Sequence, residues 1–122
     1  MPHMHYRGTE MKVWIEHEHQ LTGSALDDTC LVHAVDYRFD FQNNYLYAMQ
    51  SLGQLPTLED YDVVYVRCTY DNSWGNPFME EALAASGDDD LVDVYWGEET
   101  GDEMCMAVVG FVTPQIDLST LF

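Results

Sequence analysis

A chain of 122 residues with 47% hydrophobic content and 13% aromatics has room for one packed core, so one globular domain is expected rather than disorder. Its 22 acidic residues stand against four basic ones, Arg7, Lys12, Arg38 and Arg67, and the resulting net charge of -18 excludes nucleic acid and anionic membranes as partners. No apolar run approaches the roughly 18 residues of a membrane span, and the near absence of lysine fits a salt-adapted, solubilising surface.

In chain order the texture is β. Met11 to His17 alternates and is rich in β formers. Gln20 to Ser24 reads as a turn. Cys30 to Val35 and Asn44 to Met49 are the next strand candidates, and Asp62 to Tyr70 is the strongest. Asp71 to Pro77 is dense turn chemistry. Phe78 to Ser86 is the one expected helix, stopped by Gly87 and the solvated run Asp88-Asp89-Asp90. Leu91 to Trp96 and Met104 to Val112 are expected strands flanking an acidic loop. Many short strands and one short helix predict an all-β antiparallel sandwich or jelly roll over residues 1–113, with 114–122 a loosely attached tail. Met1 is followed at once by Pro2 and His3, with no basic and apolar lead. The chain is therefore either cytosolic or cut from a longer one, and the position of the first histidines favours the second.

The chemistry-bearing residues lie near the two ends. His3 and His5 have i, i+2 spacing, which on a strand points both imidazoles the same way. The Met104 thioether is a soft ligand, and with two imidazoles it suits copper, especially Cu(I). Three protein ligands leave a position open for a small molecule. Set against this, terminal histidines are often simply exposed, and a lone methionine is usually core filler. His17-Glu18-His19 is a second HxH, read as an exposed strand end, and His33 as an ordinary sandwich residue. Three cysteines mean one pair and one thiol in an oxidising compartment, or three reduced thiols in a cytosol. Without a CxxC, a cysteine-rich zinc site is not expected.

Four segments carry a resemblance. His3-Met4-His5-Tyr6-Arg7-Gly8 resembles the HxHxxG element of the copper type II, ascorbate-dependent monooxygenases, the family of peptidylglycine α-hydroxylating and dopamine β-monooxygenases and their bacterial relatives. Phe39-Asp40-Phe41-Gln42 resembles the Asp-Phe-Asn-Trp-Gln stretch of the bacterial members. Cys68-Thr69-Tyr70-Asp71-Asn72-Ser73 is similar to their Cys-Thr-Tyr-Asp-Asn-Ser, and Trp96 to Met104 is similar to their Trp-Gly-Glu-Gln-Thr-x-Asp-Glu-Met. The segments fall in the family's order over nearly the whole chain.

The resemblance implies the second of two β-sandwich copper domains, in which O2 binds and a substrate C–H bond is hydroxylated with an ascorbate-type reductant. His3, His5 and Met104 would be the copper ligands and catalytic centre, and Cys68–Cys105 a disulfide bracing the methionine. Cys30 would be a buried free thiol, and the domain secreted or periplasmic. Substrate would be a small molecule or peptide. Met106 and Val108 stand where the mammalian enzymes carry substrate-binding asparagine and tyrosine, which argues against a peptide carboxylate. The electron-relaying copper domain has no counterpart in this sequence and would be a missing partner. A non-catalytic copper-binding or electron-transfer module is the alternative expectation.

Overall fold

The computed structural model describes residues 1–18, 25–47 and 52–112. Its framework is built on β2 (Gly8–Glu18), an 11-residue strand. Met11, Val13 and Ile15 alternate into the core, while Lys12, Trp14 and Glu16 turn away from it. β2 is the centre of a three-stranded antiparallel sheet, between β3 (Ala25–Ala34) and β4 (Val63–Tyr70). Val13 sets the register, opposite Val32 on one side and Val66 on the other. On the outer face Trp14 stacks on Tyr65 at 5.4 Å, and the Lys12 ammonium lies over the Trp14 ring.

A second, two-stranded antiparallel sheet joins the two ends of the described chain. β1 (Pro2–His3) pairs with β5 (Met106–Ala107). The helix α1 (Met79–Ser86) buries Met79, Ala82 and Leu83, the i, i+3, i+4 stripe of an amphipathic helix. Gly87 ends it in the left-handed conformation (φ 78°), its N–H bonded to the Leu83 carbonyl. Two apolar clusters result. One holds Met4, Met11, Val13 and Tyr37, and the other holds Met79, Ala82 and Leu83 with Tyr6 packed against them. The segment from His3 to Gly8 is therefore rooted in both.

The chain is all-β with one short helical insert, as its texture predicts, but several expected strands are shorter or absent. Residues 44–47 form no strand: Leu46 is 90% exposed, and Tyr47 reaches the Leu31 carbonyl of β3 through its side-chain hydroxyl. Leu91–Tyr95 is not a strand either; next to it Trp96 makes an isolated parallel bridge with Glu103. Val92 accepts from Asn72, and Tyr95 accepts from the Glu103 N–H. Of the expected strand from Met104 to Val112, only Met106–Ala107 is strand, with Val108 bonded to Met1 just beyond it. Cys30 is exposed rather than buried, because it sits opposite Trp14 on the outward side of β3. The expected turn at Gln20–Ser24, His19, Met49 and the tail 114–122 lie outside the described residues.

Candidate metal centre

His3 and His5 come together as the strand spacing requires, their ring centroids 5.3 Å apart and nearly perpendicular. Each ring is held through Nδ1. His3 Nδ1 donates to the Gln42 amide oxygen at 2.7 Å, and the Gln42 amide nitrogen donates in turn to the Phe39 carbonyl. His5 Nδ1 donates to the Asp102 main-chain carbonyl at 3.0 Å. A carbonyl can only accept, so the proton sits on Nδ1 and the Nε2 lone pair is left for a ligand. Neither Nε2 has a partner among the described residues. A second-row acceptor on one imidazole nitrogen is the arrangement that orients histidine toward a metal. Phe39 meets the His5 ring edge-on and packs on Tyr6 at 4.2 Å, which keeps His5 95% covered.

The main chain between the rings is clamped. The Tyr37 hydroxyl accepts from the Met4 N–H at 2.9 Å and donates back to the Met4 carbonyl. Glu103 takes the next two alternate N–H groups, His5 at 3.0 Å and Arg7 at 2.6 Å, one on each carboxylate oxygen. Burial lifts the Glu103 carboxyl above the ordinary carboxylate value, while those two N–H bonds and the Arg7 charge pull it back. Arg7 is itself buried, its Nε on Asn72 and its Nη1 on the Gly101 carbonyl. Gly8 is present because Met4 lies against it: an added Cβ would meet the Met4 Cβ at 2.6 Å. The glycine of the HxHxxG spacing thus makes room for the residue between the histidines.

Cys68 and Cys105 form a disulfide, with Cα atoms 5.8 Å apart. Tyr70, two residues after Cys68, donates to the Met104 carbonyl at 2.8 Å, and the Asp71 N–H donates to the Arg7 carbonyl. Met104 follows Asp102 and Glu103, both bonded to His5, and its side chain is half-buried. The other three segments that carry the resemblance therefore each bond or pack against the stretch from His3 to Gly8, through Gln42 and Phe39, Asp71 and Asn72, and Asp102 and Glu103. The β1–β5 ladder ends at His3, opposite Met106.

The other histidines are differently engaged. His17 has both ring nitrogens occupied, by Asp62 at 2.8 Å and Thr29 at 2.9 Å, which leaves no lone pair for a metal. His33 is exposed and bonds Glu10, whose carboxyl it holds below the ordinary value. Sequence reasoning left Tyr37, Glu103 and the Asp102 carbonyl without roles, because each acts across a long stretch of chain. Comparison with protein-family models, curated proteins and solved structures finds no match. A disulfide is present, and no helix among the described residues is long and apolar enough to cross a membrane.

Proposed function

We propose that this chain is a mononuclear copper-binding domain resembling the O2-activating half of a copper monooxygenase. The observation that carries the reading is the pair of imidazoles 5.3 Å apart, each with Nδ1 committed to an acceptor and Nε2 unpartnered. Two imidazoles and a thioether fit a soft, redox-active cation better than they fit calcium or magnesium. His3, His5 and Met104 would hold the ion, which when bound supplies one-electron chemistry and a place for O2.

The protein's own residues do the positioning. Gln42 and the Asp102 carbonyl fix the ring planes, Tyr37 and Glu103 fix the main chain, and Phe39 excludes water from one side of His5. Neither Met106 nor Val108 can donate a side-chain hydrogen bond or carry a positive charge, which argues against a peptide carboxylate as substrate. A partner carrying a second copper would supply the further electron from an ascorbate-type reductant. The disulfide suits an extracellular or periplasmic setting.

Cu(I) titration against a competing chelator tests the ligand set. Wild type is expected to bind one Cu(I) tightly, His3→Ala to lose it, and Met104→Ala to weaken Cu(I) far more than Cu(II). Equal losses of both oxidation states in Met104→Ala would sink the thioether role. The apolar Met106 and Val108 also favour a second reading, a copper-binding or electron-transfer module without hydroxylase activity. Ascorbate-driven O2 consumption that rises with an added organic substrate would exclude that alternative.

A further inference from the structure

We propose that Met106 is a second thioether ligand, so that the reduced ion is held by His3, His5, Met104 and Met106. The inference rests on the copper reading above and adds to its ligand set; four protein ligands close the shell of the reduced ion, so it favours the electron-transfer form of that reading over the O2-activating one. It follows from register. Met1 and Val108 exchange both main-chain hydrogen bonds, at 2.7 and 2.9 Å. Pro2 then lies opposite Ala107, and His3 opposite Met106. Directly opposed residues of an antiparallel pair project to the same face, with Cβ atoms roughly 5 Å apart. The faces are told apart by their contents. Ala107 packs against the core cluster, and Cys105 is bonded to Cys68 in that same cluster. Met106, between them, turns the other way and is 40% exposed.

The side of the ribbon that carries His3 therefore also carries the Met106 thioether. His5 joins His3 there, as the 5.3 Å ring separation requires. A methionine side chain is unbranched and adaptable, so its sulfur can reach a cation held at a neighbouring imidazole. Two thioethers beside two imidazoles make a soft donor set, selective for Cu(I) over Cu(II) and over harder divalent ions. Met106 thus has a task that its exposure alone would not suggest. The position at which the mammalian enzymes of the resembled family contact substrate would serve the metal here.

The test uses the whole chain loaded with Cu(I), read by X-ray absorption and by competition with a Cu(I) chelator. Two sulfur and two nitrogen neighbours are expected in wild type, and one sulfur in Met106→Leu. The same variant should lose Cu(I) affinity by about 10-fold with little change for Cu(II), a difference of about 1.4 kcal/mol. Leucine at a part-exposed strand position should leave the fold intact, which circular dichroism checks. One tightly bound Cu(I) whose single sulfur survives in Met106→Leu overturns this proposal and leaves His3, His5 and Met104 standing. A single sulfur lost only in Met106→Leu keeps Met106 and overturns Met104 instead. No stoichiometric Cu(I) in wild type overturns the copper reading itself.

Discussion

Gly8 shows how one missing side chain shapes the candidate centre. Met4 is fully buried between the two histidines, and its Cβ occupies the space a Gly8 side chain would need. The Met4 Cβ is tied to the main chain and cannot swing aside as the end of a long side chain could. Gly8→Ala is therefore expected to cost about 1–3 kcal/mol of overpacking and to displace the imidazoles. Urea denaturation and Cu(I) affinity should both fall; an unchanged affinity would show that Met4 is not what places the rings. Tyr70 gives a pH-dependent counterpart. Burial, reinforced by Glu103 and Tyr37, pushes its phenol from 10.0 up to about 12. Because the folded value is the raised one, this group's stabilising contribution is complete below pH 10.0 and lost as pH rises through about 12. In an alkaline absorbance titration Tyr70→Phe should remove a late-ionising phenol, and removal of an ordinary one instead would contradict the burial argument.

Between elements, the links converge on the segment from His3 to Gly8. The Cys68–Cys105 disulfide ties β4 to the chain just before β5, and Tyr70 to Met104 and Asp71 to Arg7 repeat the connection through hydrogen bonds. With the cysteines 37 positions apart, removing the bond by Cys68→Ala with Cys105→Ala should cost about 4 kcal/mol in the chain-entropy model. Chemical denaturation measures it, and a loss below about 1 kcal/mol would mean that the hydrogen bonds already constrain this region. The exposed Cys30 should remain the one thiol that reacts in the native protein. Some of these elements were legible in the sequence and others were not. β2 and α1 announce themselves because their apolar periods match the faces they bury. The run from Asn44 misleads, since its Tyr45, Leu46 and Tyr47 look like strand residues yet stay largely exposed, tied to β3 by the Tyr47 hydroxyl rather than by a main-chain ladder. The disulfide pairing came from the resemblance, because three cysteines allow more than one pairing.

At the scale of the whole molecule, the histidine pair was readable from spacing, but its supports were not. Gln42 lies 39 positions from His3, and the Asp102 carbonyl 97 from His5, so only the fold reveals them. Met106 depends on strand register, which the i, i+2 rule does not supply. The charge of -18 acts on the entire surface: at low salt it opposes compaction, and screening relieves it over a Debye length of about 10 Å at 0.1 M. The pairing of β1 with β5 carries a consequence in time. Its Met1–Val108 bonds join positions 107 apart, so closing them requires the longest loop among the described residues. Such distant pairings are slow, and local hairpins such as β2–β3 form ahead of them. His5 thus acquires its Asp102 acceptor only as these distant segments meet, while His3 takes its acceptor from the nearer Gln42, and a cation that needs both imidazoles selects molecules that have finished folding.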